Sequence, residues 1–192
     1  MFIKDWKKEI FSIPNLLSMF RLILIPIYVI IYLNAREDAH YWIAGMILAV
    51  SCMTDMIDGK IARHFNMITN VGKLLDPIAD KATQCAVTVC LTLKYPAMVP
   101  VLVLFLAKEF FQLFAAIINY RRGKALNGAL LSGKICTTVL FVSLTVLVLV
   151  PNMDPAIVQA IAIADLIALT AAFIQYIFAF FGRHAKVQDI ES

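Results

Sequence analysis

The sequence predicts an all-α, polytopic membrane protein with six transmembrane helices and an amino-terminal amphipathic helix on the membrane surface. Three observations predict it. The 192 residues are 61% hydrophobic and only 16% charged, with a mean hydropathy of +0.83, more apolar surface than a soluble domain of this length can bury. The apolar residues fall into six runs, each close to the ~20 residues that cross a hydrocarbon core. The runs are too long and too unalternating for barrel strands, so backbone satisfaction in lipid requires helices. The net charge of +4 is modest and its bases gather at segment ends. That suits orientation and anionic lipid surfaces, and no nucleic-acid partner is expected. There is no Gly-rich phosphate loop, no aromatic-basic interleaving and no repeat of solenoid period.

Residues 1–12 set Lys4, Trp6, Lys7, Lys8 and Glu9 among Phe2, Ile3, Ile10 and Phe11. At helical spacing this gives one apolar and one basic side, as in an interfacial helix. Pro14 breaks that run and opens the membrane domain, expected over 13–182. Its spans are expected at about 15–33, 41–63, 71–93, 97–120, 128–150 and 155–181, with 183–192 as a cytoplasmic tail. No cleavable leader is expected, because the first apolar run is long enough to span and lacks a small-residue cleavage site. Cys52, Cys85, Cys90 and Cys136 lie in apolar segments without C-x-x-C spacing and are expected to be reduced packing residues. His40, His64 and His184 lie near segment ends without ligand spacing and are expected to be solvated.

Charge orients the chain. Lys4, Lys7 and Lys8 precede the first span; Lys60, Arg63 and Lys73 join the second and third; Arg121, Arg122 and Lys124 join the fourth and fifth; Arg183 and Lys186 follow the sixth. The opposite connections hold Arg36 and Lys94, and none between spans five and six. The positive-inside rule therefore places both termini on the cytoplasmic side of the cell membrane.

The stretch from Asp55 to Asp80 lies on that same side. It reads Asp55-x-x-Asp58-Gly59-x-x-Ala62-Arg63, eight further residues, then Gly72-x-x-x-Asp76-x-x-x-Asp80. Spacings of three and four put each aspartate pair on one helix face. A lone Asp near a helix end is ordinarily a cap or a solvated residue. Four at helical spacing in an apolar chain are not explained that way, because ionisable groups at membrane depth are costly and usually functional. Converging carboxylates repel unless cations sit among them. A pair of divalent ions, Mg2+ or Mn2+, takes oxygen ligands and shares them with substrate phosphates. Asp55, Asp58 and Asp76 are natural ligands. Asp80 can complete the metal shell or accept a proton from an attacking hydroxyl. Gly59 and Ala62 leave room for a flat base or a phosphate, Arg63 supplies a planar fork for phosphate oxygens, and Gly72 permits close approach of two helices.

This pattern resembles, without departure, the signature of the CDP-alcohol phosphotransferase family. The resemblance covers nearly the whole chain. It implies six membrane helices, an amino-terminal surface helix, a homodimer and an active site at the cytoplasmic interface. It also implies transfer of a phosphatidyl or similar group from a CDP-linked donor to an alcohol, with release of CMP. By the same resemblance Asp55, Asp58, Asp76 and Asp80 hold the metals, Asp80 is the base, and Gly59, Ala62, Arg63 and Gly72 shape the CDP pocket. Residues 13–21 (IPNLLSMFR) and 70–81 (NVGKLLDPIADK) are most like the phosphatidylglycerophosphate synthases of that family. Those enzymes join CDP-diacylglycerol to glycerol 3-phosphate. They usually carry Arg-Glu in the fourth helix and a further Arg two turns on, where this chain has Lys108-Glu109 and Ala116. A cardiolipin synthase, with phosphatidylglycerol as acceptor, is the alternative; an inositol-phosphate acceptor fits less well.

A phosphorylated acceptor needs cations. The candidates are Lys134 near the cytoplasmic end of the fifth span, Lys108 in the fourth, Arg121 at its end and Arg21 in the first. Positive-inside anchoring accounts equally well for Arg121, and an ion pair within the bundle is the competing account of Lys108. Glu109 could orient Lys108 or another base, and Asp165 has no obvious partner in the sequence. A cation transporter is the non-enzyme alternative. It is weakened by the aspartates lying at one end of two helices with no polar track across the midplane. A non-catalytic lipid-binding protein would not need all four aspartates.

Overall fold

The computed structural model describes residues 13–64, 70–121, 124–126, 131–181 and 187–189, with the side chains of 55–64, 70–74, 119–121, 131–132 and 134, among others, outside the description. The helices are α1 (Ile13–Leu33), α2 (Asp38–His64), α3 (Asn70–Lys94), α4 (Val99–Arg121), α5 (Leu131–Leu149) and α6 (Pro155–Phe181). A 3-10 turn, Pro96–Met98, leads into α4. Each predicted span coincides with one helix to within about three residues at either end. Among the described residues three stretches are long and apolar enough to cross a membrane, Asn15–Leu33, Pro96–Ile118 and Pro155–Phe180. The apolar part of α5, Ile135–Leu149, is shorter. The expected interfacial helix over 1–12 lies outside the described residues.

One feature departs from the all-α expectation. Strands β1 (Lys124–Leu126) and β2 (Val187–Asp189) pair antiparallel, with Ala125 opposite Gln188. Residues 187–189, expected in a plain tail, thus take part in a ribbon. Three-residue strands more than sixty positions apart carry no readable period-two pattern, whereas their backbone groups gain a ladder by meeting.

Helix ends follow local chemistry. Asp154 caps α6: its carboxylate accepts from the Ala156 amide at 2.7 Å and its carbonyl from Ile157 and Val158. Pro155 occupies the first helical position, where its missing N–H costs nothing. Pro26 and Pro77 lie inside α1 and α3, as membrane helices tolerate. Hydroxyls inside the helices satisfy themselves: Thr54, Thr83, Thr88, Thr137 and Thr145 each donate to the carbonyl four residues back, at 2.7–3.0 Å, which removes a polar cost in lipid.

The chain forms two compact units. The first, residues 1–90 with 147–151, contains α1, α2 and most of α3, with α1 packed along α2. Its polarity is inverted relative to a soluble bundle. The buried residues of α1 are Asn15, Ser18, Arg21, Tyr28 and Tyr32, whereas Leu16, Phe20, Ile23, Ile27 and Ile30 face outward. Polar groups inside and apolar ones outside suit a lipid surround, where no water competes for the inner groups. Tyr32 stacks edge-on against Tyr41 of α2, 5.3 Å between centroids. His40 is half-buried, with Nδ1 enclosed; the expectation that it is solvated fails because α2 begins two residues earlier and draws it into the packing.

A side chain at Gly45 would run into the Leu149 methyl and lie 3.1 Å from its Cγ. Gly45→Leu is therefore expected to lower stability by about 1–3 kcal/mol through overpacking, read as an earlier thermal transition of the purified protein in micelles. An unchanged transition would mean that this contact yields freely.

The second unit, 91–146 with 152–192, contains α4, most of α5, α6 and the ribbon. Phe111 of α4 meets Phe173 and Phe180 of α6 edge-on at 5.4 and 5.9 Å. Phe110, Phe114, Ile167 and Phe178 face outward. None of the four cysteines is in a disulfide, and Cys90 and Cys136 are buried, as expected of packing residues.

Candidate active site

Both aspartate pairs lie on helices. Asp55 and Asp58, with Gly59, Ala62 and Arg63, occupy the last three turns of α2, and Gly72, Asp76 and Asp80 the first three turns of α3. The side chains of Asp55, Asp58, Ala62 and Arg63 are outside the description, whereas those of Asp76 and Asp80 are described.

Asp76 and Asp80 are met by α1. Arg21, only 2% exposed, forms an ion pair with Asp80 through Nη1 and places Nη2 3.8 Å from an Asp76 oxygen. Ser18, one turn earlier and fully buried, donates its hydroxyl to Asp76. Both carboxylates keep close to half of their surface, 43% and 49%. Ser18 and Arg21 approach from the protein interior, which leaves the other side of each carboxylate open. Sequence reasoning named Arg21 only as a cation for an acceptor and missed Ser18. The signal was there: Asn15, Ser18 and Arg21 recur at a spacing of three, one face of a helix in an apolar run.

A shallow apolar notch, with a cavity volume of about 10 Å³, lies one helical turn from this cluster. Leu24 and Ile25 of α1 follow Arg21 by one turn, Ser51 of α2 precedes Asp55 by one, and Thr83 of α3 follows Asp80 by one. Tyr28, Ile47, Leu48, Ala86 and Val87 complete the lining. A polar cluster thus adjoins an apolar recess within one unit.

The remaining candidates lie in the second unit. Lys108 on α4 is 2% exposed and meets Glu109 at 2.7 Å, which bears out the ion pair weighed for it. Arg121 ends α4, and Lys134 lies in the first turn of α5; their side chains are outside the description. Asp165 of α6 is buried, and the Ser143 hydroxyl of α5 lies 2.7 and 2.8 Å from its oxygens. That is the partner which the sequence did not reveal.

The oxygen-only donors Asp76 and Asp80, one turn apart and open on one side, fit a hard divalent cation. Among the described residues no three His, Cys, Asp or Glu side chains come together.

The family description CDP-alcohol phosphatidyltransferase matches residues 11–181. The chain belongs to the CDP-alcohol phosphatidyltransferase family. An 85-residue stretch is 39% identical to the Escherichia coli K12 protein named CDP-diacylglycerol--glycerol-3-phosphate 3-phosphatidyltransferase, covering 44% of this chain and 46% of that one. The protein of that name from Shigella boydii serotype 4 matches to the same extent. A Schizosaccharomyces pombe protein named as a cardiolipin synthase (CMP-forming) and mitochondrial hydrolase fusion is 30% identical over 120 residues, 62% of this chain and 19% of that one. The matches thus span less than half the length of these relatives. Family membership accounts for the motif of α2 and α3, and it removes the cation-transporter alternative's main support, the aspartates themselves.

Proposed function

We propose that this member of the family transfers a phosphatidyl group from CDP-diacylglycerol to glycerol 3-phosphate and releases CMP. The observation that carries it is the unbroken motif from Asp55 to Asp80 on α2 and α3 of a chain matched to the family over 11–181. Support for this acceptor comes from the bacterial relatives' names. The fungal relative's name favours the second reading, phosphatidylglycerol as acceptor and cardiolipin as product.

In this reading all six helices span the cell membrane, the amino-terminal helix lies on its surface, and the protein works as a homodimer. Its termini and aspartates face the cytoplasm, on the charge asymmetry of the connections. Asp55, Asp58, Asp76 and Asp80 hold two divalent cations, Mg2+ or Mn2+. When bound, these neutralise the donor diphosphate and the charge that develops on the departing CMP oxygen. Gly59, Ala62 and Gly72 let the cytidine and phosphates lie close to the backbone, and Arg63 takes a phosphate oxygen. Asp80, open on its outer side, takes the proton of the acceptor hydroxyl. The freed oxygen bonds to the lipid-side phosphorus, the diphosphate bridge breaks, and its electron pair leaves with CMP. Lys134, Lys108, Arg121 and Arg21 are the cations available for the acceptor phosphate; Lys108 and Arg21 already meet carboxylates.

The test is CMP release by the purified protein with CDP-diacylglycerol and Mg2+ or Mn2+, with glycerol 3-phosphate, phosphatidylglycerol, inositol phosphate and serine offered in parallel. Release is expected with glycerol 3-phosphate. Release with phosphatidylglycerol alone selects cardiolipin synthesis, and no release with any acceptor overturns both.

A further inference from the structure

We propose that Arg21 is a built-in counter-ion that competes with divalent cations for Asp76 and Asp80. The inference rests on the reading that these aspartates hold metal. Two carboxylates one helical turn apart repel each other, and in the metal-free protein that repulsion must be relieved by something. Arg21 reaches both, one terminal nitrogen on Asp80 and the other 3.8 Å from Asp76. Its guanidinium cannot lose its charge and is planar, so a single side chain can address two acids. It is 2% exposed, whereas the acids are close to half exposed, so the cation is fixed from inside and the carboxylates are presented outward. Ser18 adds a hydroxyl on Asp76 from the same face of α1. A helix outside the motif therefore sets where two motif acids point before any metal arrives.

The same placement carries a cost for metal binding. A dication on these oxygens sits a few ångströms from a fixed positive charge whose own side is buried, so water on the exposed side of the carboxylates screens the repulsion only in part. The pair keeps the empty site folded and lowers its affinity, which favours release of the metal with the product phosphate. Replacing Arg21 by an uncharged side chain removes the repulsion, so Mn2+ is expected to bind at least about tenfold more tightly. The metal-free site then loses the counter-ion that reaches both acids, and the metal-free protein is expected to melt earlier.

The experiment uses the full chain, purified in micelles and stripped with chelator. Bound Mn2+ is read from the loss of the free-ion paramagnetic resonance signal, and the melting temperature is taken with and without Mn2+. Arg21→Gln is compared with wild type, with Arg21→Lys, which keeps the charge and loses the fork, and with Asp76→Asn as a site control. The expected result is tighter Mn2+ binding in Arg21→Gln, a smaller gain in Arg21→Lys, and a lower metal-free melting temperature that saturating Mn2+ restores. If wild type binds Mn2+ and Asp76→Asn loses it, but Arg21→Gln binds no more tightly than wild type, the counter-ion proposal falls and the metal reading stands. If wild type binds no Mn2+, both fall. Should Arg21→Gln fail to fold, Arg21→Met, which is uncharged and of similar length, decides, and an affinity there no tighter than wild type overturns the proposal.

Discussion

Asp80→Asn is expected to slow CMP release by about a thousandfold while leaving donor binding in place, the loss typical of removing a positioned base. The substitution keeps the shape of the side chain and one acceptor oxygen, and removes the charge that pairs with Arg21 and the capacity to take a proton. Asp80 is also the motif acid placed furthest along α3, one turn beyond Asp76. Its loss is thus the one most separable from the hold on the CDP group. Asp55→Asn provides the contrast. As a metal ligand without a proton-transfer role, it is expected to weaken Mg2+-dependent donor binding as well as turnover. The two are compared by CMP release at saturating acceptor and by binding of CDP-diacylglycerol with and without Mg2+. Normal turnover in Asp80→Asn would remove the base assignment; loss of donor binding there equal to that in Asp55→Asn would make Asp80 a ligand and nothing more.

Much of the fold was legible because lipid makes few demands on a sequence and makes them strictly. A helix must supply its own backbone bonds over a fixed thickness, so apolar runs near 20 residues name the helices. Pro155 and Asp154 name the start of α6 through capping chemistry. The aspartate motif was legible because its spacing is local, within α2 or within α3. What was not legible lies between helices. That Ser18 and Arg21 meet Asp76 and Asp80, 58 and 59 positions away, follows from which face of α1 turns inward. Composition gives no direction for that face when the outward one is more apolar than the inward one. Ser143 and Asp165 pair for the same reason, each being the polar residue on an inward face. The β1–β2 ribbon was invisible because it is too short for a pattern.

Lys108 and Glu109 give the second large effect. Consecutive residues on a helix do not face each other, so their 2.7 Å contact requires the Lys108 stem to bend along α4 toward the neighbouring carboxylate. Lys108 Nζ also lies 6.0 Å from the centre of the Phe105 ring, one turn back, at the limit of a cation–π attraction. With Lys108 2% and Glu109 14% exposed, each charge is tolerated largely because the other is there. Lys108→Met is expected to destabilise the protein by about 3–5 kcal/mol, because it strips a cation from a buried carboxylate. Lys108→Met with Glu109→Gln should recover most of that, since replacing both members of a buried pair is often nearly neutral. Unfolding in micelles of the two single variants and the double variant measures the coupling. The cycle also bears on the acceptor. A Lys108 committed to Glu109 has little left for a substrate phosphate, so the double variant should keep the acceptor KM of wild type and leave Lys134 and Arg121 to bind it. A single Lys108→Met variant as stable as wild type, with a raised acceptor KM, would reverse that conclusion and make Lys108 a substrate ligand.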